Sequence, residues 1–186
     1  MIARLATDDD VREVVVNVCA LDAAMLFARR FDDDRAALAE EMIALRRFEI
    51  AAYAFAAAAG APAQSLLGAT LIAPGVATLH WFSTGRWAEF SYDRPLLWLD
   101  FWRSTFLPEV LIPTVHRAEC RILAANRAQA RRLARVGFVA EGLERAAGRA
   151  GEDFVRFAWL NPQRRPTVDG ATAALGWARM REKRHA

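Results

Sequence analysis

Lysine and cysteine are scarce in this chain of 186 residues, and long apolar runs are missing. The two cysteines, Cys19 and Cys120, lie far apart in apolar surroundings, so buried free thiols are expected rather than a disulfide framework. No stretch of about 18 uncharged apolar residues occurs, which argues against a membrane-spanning helix. The first residues do not form a basic segment followed by an apolar one, so no signal peptide is expected. These absences predict a protein of the cytoplasm.

The composition fits one domain with a well-filled core, since 54% of the residues are hydrophobic. Charge is unevenly spread: residues 115–186 carry 15 basic against 7 acidic residues, while the rest of the chain is net acidic. A basic C-terminal third can attract an anion such as a nucleotide diphosphate or nucleic acid. The alternative is a solvated face with a basic tail, and a nucleic-acid partner is not expected.

Residues 115–160 contain a strand, a capped helix and two further strands. His116–Leu123 alternates between apolar and charged residues, as a strand with one buried face does. Asn126 predicts the start of the next helix, because its side-chain oxygen can accept a first-turn N–H. Gly137 predicts the end of that helix, because glycine adopts positive φ without steric cost. Phe154–Trp159 is predicted as the last strand.

The upstream residues predict an edge strand at Ile2–Leu5, two helices and three strands. Two runs of three aspartates, at 8–10 and 32–34, stand directly before helical patterns. Helix starts are predicted there rather than metal sites, because acids favour helix N-termini and no His or Cys joins them. The first helix is expected to run to about Leu26. The three strands are predicted at Ile50–Ala58, Ser65–Ala73 and Val76–Ser83.

This order of elements resembles the GNAT (GCN5-related) N-acetyltransferase fold, in the branch that acetylates protein N-termini or small antibiotics. The resemblance implies an α/β domain over residues 1–160, with a mixed, mostly antiparallel sheet and helices on both faces. A basic C-terminal extension, 161–186, would follow it. The positions that carry the resemblance are His116-Arg117, Asn126, Arg132-Leu133, Gly137-Phe138, Glu141-Gly142 and Arg145.

The resemblance implies that acetyl-CoA binds where the strands Val76–Ser83 and His116–Leu123 diverge. Its pyrophosphate would lie on the loop at 83–90, because glycine-rich backbone at a helix N-terminus binds anions. This loop has one glycine where the family pattern has two or three, and it carries Trp87 and Glu89. Asn126 also fits a helix cap alone, and the helix arginines also fit a solvated face. The cofactor-binding candidates are Phe82, Ser83, Gly85, Arg86, Asn126, Arg131 and Arg132.

Leu133 stands where many family members carry a tyrosine that acts as general acid. The resemblance therefore supplies no general acid here. For a general base, the nearby candidates are His80 and Glu89. His80 lies on the strand beside the divergence, and imidazole titrates near neutrality. Flanked by Leu79 and Trp81, it also fits an ordinary core position.

Two functions remain open from the sequence. The first is an acetyl-CoA-dependent N-acetyltransferase acting on an unidentified amine, with a strand N–H near Phe82 or Ser83 polarising the thioester carbonyl. The second is an inactive GNAT-fold binding or assembly protein, associated with a phage particle or another complex. A protein partner would bind the aromatic helix through Trp98 and Trp102, or the C-terminal tail. Core packing of the two tryptophans is the alternative.

Overall fold

The computed structural model describes residues 2–85 and 95–164. These residues form a seven-stranded sheet in the order β1-β2-β3-β4-β5-β7-β6. Neighbouring strands are antiparallel except β4 and β5, which are parallel. The strands are β1 (Ile2–Leu5), β2 (Glu49–Ala56), β3 (Ala63–Ala73), β4 (Val76–Ser83), β5 (Arg117–Leu123), β6 (Val139–Glu144) and β7 (Phe154–Leu160).

Helices cover both faces of the sheet, as the sequence predicts. One core joins Phe55, Leu67 and Leu79 of the sheet to the helices that follow β4 and β5, and the other joins Leu66 and Phe82 to the helices near the N-terminus. The helical segments are α1 (Asp8–Val16), α2 (Ala20–Phe27), α3 (Arg35–Leu45), a 3₁₀ turn (Arg46–Phe48), α4 (Pro95–Phe101), a π-helix (Trp102–Leu111), α5 (Ile112–Thr114) and α6 (Arg127–Arg135).

Both aspartate runs begin helices, which confirms the prediction of capping. Thr7 and Asp10 form a capping box on α1: the Asp10 N–H donates to Thr7 Oγ1 at 3.2 Å, and the Thr7 N–H donates to Asp10 Oδ2 at 2.9 Å. Asp34 Oδ1 accepts the Ala37 N–H at 3.0 Å and caps α3. Among residues 2–85 and 95–164, no group of His, Cys, Asp and Glu is arranged to hold a metal ion.

The prediction of one helix from Asp8 to about Leu26 is wrong, because the first helix ends at Val16 and a second one begins at Ala20. Val18 forms a β-bridge with Thr84, and the Cys19 N–H donates to the Ser83 carbonyl at 2.8 Å. The Val18 N–H still donates to the Val15 carbonyl at 3.4 Å, but the Cys19 N–H bonds to β4, whereas a continuous helix would bond it to Val15. The connector between α1 and α2 therefore lies against β4, at the place where the sequence resemblance puts the cofactor.

The aromatic helix after residue 95 is buried and changes to π geometry within its length. Trp98, Trp102, Phe106 and Val110 follow each other at intervals of four and are 0–6% exposed. A π-helix closes i to i−5 hydrogen bonds, so its turn is wider than that of an α-helix and residues four apart stay on one face. At its end the Ile112 N–H donates to the Leu107 carbonyl, in the same register.

Helix α6 has the two ends that the sequence predicts. Asn126 Oδ1 accepts the Gln129 N–H at 3.0 Å and caps the helix. Gly137 has φ of +90°, and its N–H donates to the Ala134 carbonyl at 3.1 Å. The Phe138 N–H donates to the Leu133 carbonyl at 3.0 Å, which completes a Schellman motif.

The residue that follows β7 belongs to the same packed unit. Asn161 is fully buried, and its side-chain amide donates to the carbonyls of Ile112 and Val115 at 2.8 Å each. The sequence placed this residue in the C-terminal extension, of which 165–186 lie outside the described residues. Over the described ranges, no helix combines the length and apolar character that a membrane crossing requires.

Candidate active site

The strands β4 and β5 pair over only three positions and then separate. Val76 pairs with Arg117, Ala77 with Ala118, and Thr78 with Glu119. The five remaining residues of β4 pair with β3 alone, while β5 continues its pairing with β7. The expected adjacent, parallel and diverging pair is therefore confirmed. The gap opens toward the carboxyl ends of both strands, where ligands of open α/β sheets bind.

The backbone of Trp81 provides the hydrogen-bonding groups of β4 that face this gap. The Thr84 N–H donates to the Gln64 carbonyl of β3 at 2.8 Å, and the Phe82 carbonyl accepts the Ser65 hydroxyl at 3.0 Å. Alternate residues of a strand direct their backbone groups to opposite neighbours. Trp81 and Ser83 therefore direct theirs away from β3 and toward the gap.

The backbone of Ser83 is already engaged. Its N–H donates to Asp22 Oδ2 at 2.8 Å, and its carbonyl accepts the Cys19 N–H. The sequence predicted that a strand N–H near Phe82 or Ser83 polarises the thioester carbonyl. The Phe82 N–H is directed at β3 and the Ser83 N–H is bound to Asp22 of α2, so the N–H of β4 that is directed at the gap is that of Trp81. Sequence reasoning missed Asp22, which has no signal beyond an ordinary position in an apolar helix.

Asp22 is a partly buried carboxyl group at the end of the gap. Burial raises its pKa above the ordinary value, although the Ser83 N–H, the Cys19 thiol and the positive charge of Arg132 oppose that change. A proton on Asp22 would leave Oδ2 able to accept the Ser83 N–H. The carboxyl group can therefore hold this end of β4 with or without its charge.

Stacked aromatic rings lie beside the gap on the sheet face that carries the aromatic helix. Trp81 and Trp98 stack with ring centroids 4.1 Å apart, and the Trp81 indole N–H donates to Ser65 Oγ at 3.1 Å. The guanidinium carbon of Arg132 lies 5.6 Å from the Trp81 ring centroid. Trp98 and Trp102 are 6% and 1% exposed, so both pack in the core of the described residues.

The remaining candidates of α6 and the phosphate loop have separate positions. Asn126 is buried and serves as the cap, and Arg131 is exposed. Gly85 is exposed at the end of the first described range, and a Cβ added there would meet no atom within 4 Å. Arg86 and Glu89 lie outside the described residues.

His80 is directed at the sheet face that carries α1, α2 and α3. Burial lowers the pKa of its imidazole below the ordinary value. Within the described residues, its side chain makes no hydrogen bond or ion pair. A neutral imidazole without a partner can accept a proton from a ligand on this face.

A cleft of about 440 Å³ lies between α2 and the diverging strands. Cys120 lines it, but burial raises the pKa of that thiol to about 12, so it stays protonated and is not a nucleophile near neutral pH. The other polar side chains that line the cleft are those of Arg29, Thr78, His80, Glu119 and Arg121.

The fold and the diverging strands define a protein with the GNAT N-acetyltransferase fold. No protein-family model matches the sequence, and no curated protein does so significantly. Solved structures do match. A ribosomal-protein-alanine N-acetyltransferase from Brucella melitensis is 14% identical with a TM-score of 0.63, over 86% of this chain and 99% of that one.

Two further structures, both with ligands, match over similar shares of the chain. A GNAT-superfamily phosphinothricin acetyltransferase from Sinorhizobium meliloti in complex with acetyl-CoA is 14% identical with a TM-score of 0.62, over 90% of this chain and 93% of that one. A spermidine N-acetyltransferase from Vibrio cholerae in complex with CoA and spermine is 16% identical with a TM-score of 0.59, over 86% and 95%. These likenesses establish the fold.

Proposed function

We propose that the protein is an acetyl-CoA-dependent N-acetyltransferase that acts on an amine. The observation that supports it best is the gap between β4 and β5, with the Trp81 backbone on one wall and His80 on the adjoining sheet face. The proteins of like fold named above are all N-acetyltransferases, and one is in complex with acetyl-CoA. Their acceptors differ, so the fold alone does not assign one to this chain.

The residues around the gap fit acetyl-CoA in part. The Trp81 N–H is available as a donor to a carbonyl oxygen in the gap, which is what acyl transfer requires where negative charge develops. The guanidinium carbon of Arg132 lies 5.6 Å from the centroid of the Trp81 ring, and its positive charge suits a phosphate or a carbonyl group. Acetyl-CoA would supply the acetyl group as a thioester.

His80 has the properties of the general base in this reaction. It would accept the proton that the amine loses as its nitrogen bonds to the acetyl carbon and the carbon–sulfur bond breaks. The sulfur of CoA would leave as a thiolate and would then take up a proton. An imidazole with a lowered pKa is neutral at physiological pH and ready for this role. Leu133 carries no acidic proton, so the side chain at this position cannot protonate the thiolate.

Calorimetric titration with acetyl-CoA tests this proposal. We expect a dissociation constant in the micromolar range for the wild-type chain, since a charge-assisted contact from Arg132 would add to the hydrogen bond from the Trp81 N–H. Titration of the same protein with adenosine controls for binding that does not involve the acetylated arm. The absence of binding near 1 mM acetyl-CoA would rule out the enzyme in this form.

A second candidate, a binding or assembly protein without cofactor, is favoured by one observation. The Ser83 N–H is bound to Asp22 and its carbonyl to Cys19, so α2 already holds the end of β4. Asp22→Ala separates the two candidates. Binding of acetyl-CoA by the variant alone would mean that Asp22 closes the site; binding by neither protein would favour the binding module.

A further inference from the structure

The sheet face that carries His80 holds a second cavity beside the cleft. It measures about 220 Å³ and lies between α1, α3 and strands β2 to β4. Ile72, Thr78, His80 and Phe82 line both the cavity and the cleft. The two spaces therefore share a wall and form one groove, with the cavity as its apolar end, the cleft as its other end and His80 at their junction. The apolar lining of the smaller cavity includes Val11, Met42, Leu45, Leu66, Leu71 and Phe82.

Exposed apolar side chains surround the mouth of this cavity. Leu45 and Ile72 are 52% and 54% exposed, and Phe48 and Leu71 are 48% and 39% exposed. Exposed apolar residues that cluster around a concave site mark a place where an apolar group binds. The cavity thus suits an aliphatic or aromatic group that extends from the reacting centre at His80.

The charges at the apolar end are compensated within the chain. Arg46 lies 3.4 Å from Glu49, and it also binds Asp8 at 2.6 Å and the Ala6 carbonyl at 2.7 Å. A ligand group that enters this end therefore meets no uncompensated charge. A second ammonium group, such as the far end of a polyamine, would gain nothing there.

The cleft end of the groove has one uncompensated positive charge among the described residues. Glu119 is bound by Arg117 at 3.1 Å, and Arg121 is bound to Glu144 at 3.1 Å. Arg29 is exposed and makes no ion pair or hydrogen bond with any described residue. Its guanidinium group is free to bind a carboxylate of a ligand in the cleft.

We propose that the acceptor is a free α-amino acid with an apolar side chain. The proposal deepens the proposed function and rests on it. The α-amine would lie at His80, the side chain in the 220 Å³ cavity, and the carboxylate against Arg29. An α-amino acid bears these three groups on one carbon, at the junction where the apolar and the positive ends of the groove meet. The N-terminus of a peptide has no carboxylate at that position.

Binding of small probes in the absence of acetyl-CoA tests this assignment independently of catalysis. L-leucine would be titrated into the labelled protein and followed by NMR chemical shifts, beside glycine, 3-methylbutylamine and L-leucinamide. Glycine lacks the side chain, and the other two lack the carboxylate. We expect L-leucine to bind at least about fivefold more tightly than each of the three, from a charge-assisted contact and an apolar contact.

Two pairs of variants locate the contacts. Arg29→Gln should weaken L-leucine binding about tenfold and leave 3-methylbutylamine unaffected, whereas Arg103→Gln, an exposed arginine on the π-helix, should change neither. Leu45→Glu should weaken both ligands, and Leu21→Glu, at a residue of similar exposure outside the groove, should not. Circular dichroism verifies that each variant is folded.

The possible results separate the two proposals. L-leucine binding with these variant effects supports the acceptor assignment even if acetyl-CoA does not bind, a result that would defeat only the proposed function. Equal affinity for L-leucine and L-leucinamide, or an unchanged affinity in Arg29→Gln, would overturn the amino-acid assignment. Binding of glycine as tight as that of L-leucine would overturn the role of the cavity.

Discussion

His80 combines partial burial with the absence of any described hydrogen-bond partner. A histidine that merely fills a core usually satisfies its ring nitrogens, because an unpaired buried polar group costs free energy. His80 instead faces the junction of two cavities. At the scale of a single residue, this is the feature that most favours a chemical role over a packing role.

The titration of His80 can be measured directly. Burial lowers the pKa of the imidazole, so we expect its ring proton signal to titrate below pH 6.5. Stability that depends on neutral His80 should be present above pH 6.5 and lost as the pH falls through the lowered pKa. NMR titration, with the signal assigned by its loss in His80→Gln, measures the pKa.

Two further measurements complete this test. His116→Gln should leave the His80 signal unchanged, and urea unfolding should show a smaller loss of stability on acidification for His80→Gln than for the wild type. A His80 midpoint at or above pH 6.5 would contradict the account, because it would require a negatively charged partner that the described residues do not provide.

At the scale of elements, α6 and its two ends carry the clearest sequence signal. Gly137 has φ of +90°, where a β-branched residue is strained, and a Cβ there would lie 3.5 Å from Trp159 Cδ1, which is an ordinary contact. The cost of substitution is therefore mainly conformational. Gly137→Val should lower the free energy of unfolding by about 1–2 kcal/mol.

Urea denaturation measures this change, with Gly142→Val as the matched control. Gly142 has no positive φ, and a Cβ there would meet no atom within 4 Å, so the control should lose little stability. Equal losses in the two variants would mean that backbone conformation at Gly137 is not the cause.

The sequence predicted most of the elements but not the contacts that determine access to the gap. Alternation and local end signals reveal β5, α6 and the capped helices, because these depend on nearby residues. The bond between Asp22 and Ser83 joins positions 61 residues apart and leaves no local pattern. The end of α1 at Val16 has the same origin, because the Cys19 N–H bonds to the Ser83 carbonyl and Val18 forms a β-bridge with Thr84.

The aromatic helix shows a different limit of the sequence. Its apolar residues at intervals of four predict a buried helix, but the same spacing fits α and π geometry. The sequence left Trp98 and Trp102 open as partner contacts or core residues, and their burial depends on tertiary packing that leaves no local pattern. Similarly, His80 could be placed on its strand, but its access to two cavities depends on α1, α2 and α3.

At the scale of the whole molecule, the two faces of the sheet present different side chains beside the gap. One face packs Trp81 against Trp98 and brings Arg132 over its ring. The other face carries His80 and the groove between α2, α3 and the sheet. This division suits a reaction of two substrates, because a thioester in the gap and an amine in the groove would meet at β4.

Amide hydrogen exchange with and without acetyl-CoA tests the central claim, that the gap between β4 and β5 holds this molecule. The Trp81 N–H faces the gap, so it should exchange rapidly alone and at least about tenfold more slowly with saturating acetyl-CoA. The Phe82 N–H, directed at β3, should change little. Binding of acetyl-CoA without protection of Trp81, or with protection confined to other strands, would contradict the account.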